Sequence, residues 1–144
     1  MTTLKNLKGT AIQFLDEDPA VYAGTWSSGG NMNTAREIAG GAGIQTSALG
    51  VGGNSPANAA YAITEEYNGS AWSEVADLNS GRSAVGAFGA NAEAVIAFGG
   101  RDPGATRAYT ESWNGSAWTE VNDMNTARFG GASPGVGTST SGMA

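Results

Sequence analysis

The chain of 144 residues contains no cysteine and no histidine. Without cysteine it can form no disulfide, no thiolate metal site and no cysteine nucleophile. Without histidine it can assemble no Ser-His-Asp triad, no histidine-ligated zinc or copper site and no imidazole acid or base. These two absences remove the commonest catalytic and metal-binding classes, so we expect no enzyme activity, no cofactor and no metal site.

Charged residues are also scarce, and the acidic ones predominate. Only 14% of the residues are charged, and 7 Lys or Arg against 13 Asp or Glu give a net charge of −6. A phosphate backbone or an anionic membrane is bound by clustered basic side chains, and here these are scattered. The apolar runs are far shorter than a membrane span. Neither nucleic acid binding nor membrane insertion is therefore expected.

The chain instead has many glycines and an internal repeat. Its 23 glycines and few helix-forming runs predict short strands and tight turns. The stretch GSAWSEVADLNSGR, which starts at Gly69, returns 46 residues later as GSAWTEVNDMNTAR, which starts at Gly115. The same step relates further residues: Trp26, Trp72 and Trp118; Arg36, Arg82 and Arg128; Glu65 and Glu111. Such periods are typical of solenoids and of propeller blades.

Each repeat is predicted to hold four short antiparallel strands. In the second complete repeat we expect them over residues 83–89, 93–98, 110–113 and 117–121. Residues 90–92 and the dipeptide Asn114-Gly115 indicate hairpin turns between them. The 3.6-residue apolar period of a helical solenoid is missing. The pattern therefore favours all-β propeller blades.

The order of characteristic residues within each repeat resembles the kelch repeat of the galactose-oxidase-like β-propellers. An arginine leads a strand, a later strand ends in a glycine pair, and a loop is followed by an aromatic residue and then Trp. The glycine pairs are Gly52 with Gly53 and Gly99 with Gly100; the aromatic pairs are Tyr67 with Trp72 and Trp113 with Trp118. The resemblance covers residues 21–144 and implies a kelch-type β-propeller, incomplete in this chain, with two complete units and two partial blades. It implies no copper chemistry, because histidine and cysteine are lacking.

The opening LKNLKGTAIQFLDEDP, followed by NGSAW units, is similar to kelch-like proteins of marine bacteriophages. This similarity implies a noncatalytic structural or adhesive component of a phage virion, such as a tail, fibre or other appendage protein. Residues 1–20 depart from the repeat and would dock the protein onto the virion, and they would also contribute an outer blade strand. The partners would be other virion proteins, copies of the chain and a host-surface glycan. The alternative is a secreted or cell-surface glycan-binding propeller of bacterial origin.

The number of repeats leaves two explanations open. Propellers close with about 4 to 8 blades, whereas two complete repeats stand between partial ones here. Either the chain is a piece of a longer propeller, or blades are completed between chains.

Repeated and variable positions predict different roles. The arginines, glutamates and tryptophans of the repeat, together with its glycine pairs, are expected to be structural, with the glutamates accepting hydrogen bonds from a neighbouring blade's arginine or backbone. The loops at residues 54–62 and 101–109 occupy the same place in successive repeats yet share little sequence. Loops on a rigid scaffold commonly bind ligands, so the candidate binding residues are Asn54, Asn58, Arg101, Asp102, Arg107 and Tyr109.

Overall fold

The computed structural model describes residues 28–130. Predictions for residues 1–27, including Trp26 and the docking segment, and for residues 131–144 lie outside the described residues. Within these limits there are eight strands and no helix: β1 (Gly40–Ile44), β2 (Ser47–Val51), β3 (Thr64–Tyr67), β4 (Trp72–Val75), β5 (Gly86–Gly89), β6 (Val95–Phe98), β7 (Thr110–Trp113) and β8 (Trp118–Val121). They form two antiparallel sheets, ordered β1-β2-β3-β4 and β5-β6-β7-β8. The all-β prediction is confirmed, with one four-stranded sheet in each complete repeat.

The two sheets follow the step of the sequence repeat. Strands β1 and β5 start at Gly40 and Gly86, and the repeated tryptophans start β4 and β8. The repeats differ in the first hairpin, where residues 45–46 link β1 to β2 but residues 90–94 link β5 to β6. Because this second link is longer than predicted, β6 starts at Val95 rather than at residue 93.

The strand predicted over residues 83–89 also begins late, at Gly86. Ala84 has a φ of 52°, in the left-handed region, so the extended strand cannot include it. Ser83 forms only an isolated antiparallel bridge, to Arg101. The first part of this apolar stretch is therefore a connection between repeats.

The turn between β7 and β8 spans residues 114–117 and is wider than the predicted two-residue hairpin turn. Gly115 has a φ of 91°, whereas Asn114 is not in the left-handed region. The Oδ1 atom of Asn114 instead accepts the backbone N–H groups of Ser116 and Ala117, both at 3.0 Å. Since the side chain supplies the acceptor of the turn, the Asn114 backbone does not need a positive φ. The first sheet uses the same arrangement at its own Asn-Gly turn.

The sheets pack against each other through small apolar side chains. Strand β1 lies against β5, and a Cβ atom on Gly40 would come within 2.8 Å of the Val85 carbonyl oxygen. Only glycine permits this close approach. The resulting core contains residues of both sheets: Ala42, Leu49, Val51, Leu78, Val85, Ala87, Ala92, Val95, Ala97, Trp113 and Trp118.

Two hydrogen bonds cross between the sheets inside this packing. The Trp118 indole Nε1–H donates to the Thr64 hydroxyl at 3.0 Å. The Ala92 N–H donates to the Ser47 hydroxyl, also at 3.0 Å. Because Trp118 is only 6% exposed, its polar edge needs such a partner. The tryptophan of the second repeat therefore packs between sheets, as its repetition predicts.

The arginine that opens each repeat is buried beside a glutamate of the third strand. Arg36 Nη2 lies 3.3 Å from Glu65 Oε1, and Arg82 Nη1 lies 2.7 Å from Glu111 Oε1. All four side chains are at most 2% exposed. The Oε2 atom of Glu111 also accepts the Asn79 N–H at 2.7 Å, and Glu65 has the equivalent bond. Burial lowers the pKa of Arg36, and the charge of Glu65 acts in the opposite direction.

Arg82 joins the two sheets through different parts of the same residue. Its N–H donates to the Tyr61 carbonyl and its own carbonyl accepts the Gly53 N–H, both at 3.0 Å, in the first repeat. Its guanidinium binds Glu111 in the second repeat. The expected link between neighbouring repeats is thus divided, because the side chain binds its own repeat and the backbone binds the preceding one.

A second link between repeats is a chain of backbone hydrogen bonds. The Ala84 N–H donates to the Ile38 carbonyl at 2.9 Å, and the Gly130 N–H donates to the Ala84 carbonyl at 3.1 Å. These residues are one repeat step apart, and all three are left-handed, with φ values of 53°, 52° and 63°. The same left-handed conformation therefore recurs at three successive repeat positions, and in the first two it lies just before β1 and β5.

We predict that Ile38→Gly stabilises the protein by about 0.5 to 1 kcal/mol in chemical denaturation. A left-handed residue with a Cβ costs roughly 1–2 kcal/mol, and the extra backbone freedom of glycine offsets only part of this gain. Ile38 is 52% exposed, so little packing is lost. The control is Ala39→Gly, at an exposed neighbour without a positive φ, which should lose about 0.5–1 kcal/mol. Equal losses in both variants would contradict the prediction.

We predict that Glu111→Gln lowers the free energy of unfolding by about 3 to 5 kcal/mol, because it leaves the buried Arg82 without its counter-charge. The matched control is Glu120→Gln. Glu120 lies directly opposite Glu111 in the register of β7 and β8 and is exposed. Its replacement should change stability by less than about 0.5 kcal/mol. A loss below about 1 kcal/mol for Glu111→Gln would show that the buried Arg82 does not depend on Glu111 for its counter-charge.

Candidate functional site

The glycine pairs determine where each variable loop leaves its sheet. The Gly53 N–H donates to the Arg82 carbonyl at 3.0 Å, and the Gly100 N–H donates to the Arg128 carbonyl at 2.9 Å. All members of the pairs have positive φ, between 61° and 111°: Gly52, Gly53, Gly99 and Gly100. Arg128 repeats only the backbone role of Arg82, because its side chain is exposed and has no acidic partner within residues 28–130.

The two loops share a backbone arrangement but not their side chains. Asn54 forms two isolated antiparallel bridges, and Arg101 forms the equivalent pair in the next repeat; the partners are Glu37 and Ala60 for Asn54, and Ser83 and Thr106 for Arg101. The side chains are those of NSPANAA in one loop and RDPGAT in the other. The scaffold is therefore constant while the chemistry presented on it changes.

A polar cleft lies where these loops meet. Its volume is about 330 Å³, and its lining is Asn54, Asn58, Ser83, Arg101, Asp102 and Pro103. Four of the six predicted binding residues are thus brought together from two successive repeats. Ser83 and Pro103 were not predicted. Ser83 is brought to the cleft by pairing with Arg101, through two backbone hydrogen bonds and one from its hydroxyl to the Arg101 carbonyl. Pro103 carries no signal in the sequence except its place in the variable loop.

Arg107 and Tyr109, the other two predicted residues, are not among the lining residues of this cleft. Arg107 binds Asp102, with Nε at 2.7 Å and Nη2 at 2.6 Å from Oδ2. The Tyr109 ring lies between two guanidinium groups, 5.5 Å from that of Arg107 and 5.9 Å from that of Arg82. These residues therefore support the loop and connect it to the buried ion pair.

Asp102 organises its loop through both carboxylate oxygens. While Arg107 occupies Oδ2, the N–H groups of Gly104 and Ala105 donate to Oδ1, each at 2.9 Å. The hydrogen bond from Arg107 is the main cause that lowers the pKa of Asp102. The same bond raises the pKa of Arg107. Asp102 is therefore a charged loop-closing residue whose acceptor positions are occupied.

Arg101 differs from Arg36, Arg82 and Arg107, the three arginines that form ion pairs within the described region. Its guanidinium lies 5.4 Å from the centre of the Phe129 ring, and the residue is exposed. Among the ion pairs of residues 28–130, those of arginine involve Arg36, Arg82 and Arg107. Arg101 thus places an unneutralised positive charge at the cleft.

Trp72 has a different environment from Trp118. It is half-buried, stacks at 5.1 Å against Tyr67, and donates its Nε1–H to the Gly30 carbonyl at 3.0 Å. A shallow groove of about 490 Å³ beside it is lined mainly by strands β1 and β2. Because the indole N–H is already paired, the first repeat's tryptophan acts mainly as a packing residue.

Within residues 28–130 no group of three or more Asp and Glu side chains is placed to hold a metal ion. No helix there is long and apolar enough to cross a membrane.

No protein-family model and no curated protein matches the chain. The family resemblance therefore depends on the residue pattern of the sequence.

We predict that Asp102 stays ionised when the pH falls through the ordinary aspartate value of about 3.9. A lowered pKa means that the loop contacts are complete above that value and are lost only as the pH falls through the depressed folded pKa. The measurement is an NMR titration of the Gly104 and Ala105 amide signals. The Ser116 and Ala117 amides serve as controls, because they donate to a neutral Asn side chain. A midpoint at or above 3.9 would contradict the prediction.

Proposed function

We propose that the chain is a noncatalytic binding and assembly module of the kelch-type β-propeller class. The observation that carries this proposal is the pair of loops with one backbone arrangement and two sets of side chains around a shared cleft. The four-stranded repeats, the close packing of β1 on β5 and the links between repeats support propeller blades as their architecture.

The chemistry of three acidic residues, one of which lines the cleft, supports a noncatalytic role. General acid or base catalysis needs a carboxyl group that can reach a substrate and exchange a proton with it. Glu65 and Glu111 are buried in ion pairs with arginine. Asp102 has both oxygens engaged. These three carboxylates hold the scaffold and the loop in place.

The biological setting that we propose is the surface or tail of a phage particle, where the module takes part in assembly or in attachment to the host. The support for this setting is the similarity of the N-terminal and NGSAW segments to kelch-like phage proteins. The second candidate is a secreted or cell-surface glycan-binding module of bacterial origin. The polar lining of the cleft, with two asparagines and a serine, suits the hydroxyl groups of a sugar in either setting.

A loop exchange tests the proposal, with residues 101–106 replaced by the sequence of residues 54–60. Because both loops use the same two backbone bridges, we predict that the variant folds with a melting temperature close to that of the parent but loses binding to host cells. The control is Ser116→Ala, in an exposed turn whose residues do not line the cleft.

The parent protein is followed through density-gradient fractions of phage particles and in binding to purified host-surface polysaccharide. Association with particles supports the virion role. Saturable polysaccharide binding without particle association favours the secreted module. A loop-exchanged protein that still binds host cells would contradict the proposed function. So would a parent protein that neither associates with particles nor binds the polysaccharide.

A further inference from the structure

The chemical class of the ligand can be inferred from the two charged side chains that line the cleft, Arg101 and Asp102. Asp102 accepts two backbone N–H groups on one oxygen and the Arg107 guanidinium on the other. A carboxylate with this many donors is both neutralised by its partner and short of free acceptor sites. Asp102 therefore contributes shape to the cleft but little attraction for a cation.

Arg101 is in the opposite situation. Its backbone is held by reciprocal hydrogen bonds with Ser83, both at 2.8 Å. Its guanidinium lies 5.4 Å from the ring centre of Phe129, a contact that orients a cation without neutralising it. The side chain has no ion-pair partner within the described residues 28–130. The lining carries one positive and one negative charge. Because Arg107 pairs with Asp102 from outside the lining, the three side chains together leave one positive charge at the cleft, on a chain whose net charge is −6.

The rest of the lining is neutral and able to form hydrogen bonds. Asn54 and Ser83 are 5% and 2% exposed and so present only a small accessible surface, and the exposed Asn58 adds a second amide at the rim. A volume of about 330 Å³ is at the lower end of the range for small-molecule sites. A cleft of this size accommodates one or two sugar rings rather than an extended peptide.

We infer that the cleft binds an anionic sugar residue of a polysaccharide, with Arg101 donating two hydrogen bonds to its carboxylate or sulfate group and the asparagines binding its hydroxyls. The inference rests on the proposed function, since it names the ligand class of the same site. A planar guanidinium matches both anions through its paired donors. The neutral amides contact a sugar ring without repelling its charge.

Two pairs of probes test the inference by calorimetry. One is polygalacturonic acid with its fully methyl-esterified form, and the other is dextran sulfate with dextran. We expect the protein to bind at least one charged polymer and neither neutral one, with an affinity that falls as salt is raised. Preference within the first pair identifies a carboxylate, and preference within the second identifies a sulfate. Equal binding of charged and neutral partners, or no binding to any of the four, would overturn the inference.

Variants locate the binding at the cleft. Arg101→Gln should weaken binding of the charged polymer at least about tenfold, the effect of losing hydrogen bonds to a charged group. Arg101→Lys keeps the charge but not the paired donors, so its affinity for the polymer should lie between those of the parent protein and Arg101→Gln. Arg128→Gln removes the same charge from an exposed arginine outside the cleft lining and should change binding less than about twofold. Equal effects of Arg101→Gln and Arg128→Gln would show non-specific attraction and overturn the inference.

The outcome also separates this inference from the proposed function. If the loop exchange abolishes host-cell binding while Arg101→Gln leaves polymer binding unchanged, the loops bind a ligand but the anionic assignment is wrong. If the loop exchange itself has no effect on host-cell binding, the proposed recognition role is wrong whatever the polymers show.

Discussion

The ion pair between Arg82 and Glu111 is the contact on which the rest of the described structure depends. Burying an arginine and a glutamate removes both from water, and their attraction compensates for this only when geometry and further hydrogen bonds are good. Here the 2.7 Å ion pair is supplemented by the Asn79 N–H on the other carboxylate oxygen. The Nε and Nη2 atoms of Arg82 are buried without a hydrogen-bond partner among the described residues, so the compensation is only partial. Such a pair adds little net stability over an apolar core, but it disfavours arrangements in which either charge is buried alone. We regard it as the element that fixes the Arg82 side chain within the second repeat, while the Arg82 backbone joins that repeat to the first.

The position of the candidate cleft depends on the backbone of the repeated arginine rather than on its ion pair. The Arg82 carbonyl holds Gly53, and the Arg128 carbonyl holds Gly100 in the same way. These glycines are the last residues before the variable loops. A Cβ atom at Gly53 would lie 2.9 Å from the Glu37 carbonyl oxygen, and one at Gly100 would lie 2.8 Å from the Ser83 carbonyl oxygen. The loops therefore start from fixed positions while their side chains vary. A scaffold of this kind lets recognition change between repeats without changing the packing between sheets.

Repetition explains which features could be predicted from the sequence. The period, the four strands of each sheet, and the importance of the repeated Arg, Glu and Trp follow from agreement at several independent positions. Difference between repeats identified four cleft residues: Asn54, Asn58, Arg101 and Asp102. The left-handed turn at Ile38, Ala84 and Gly130 could not be predicted, because these residues share a backbone conformation and no side-chain signal. Ser83 was missed because its role depends on pairing across the fold, and the Asn-Gly turn was misjudged because its asparagine acts through its side chain.

The most direct test of the central claim is native-state hydrogen exchange in Glu111→Gln, with the two sheets compared amide by amide. If Arg82 couples the repeats, the substitution in β7 should lower the protection of β2 and β3 in the first sheet by the same free energy as that of β6 and β7. Loss of protection confined to the second sheet would contradict the account, because the ion pair would then stabilise only the sheet that contains it.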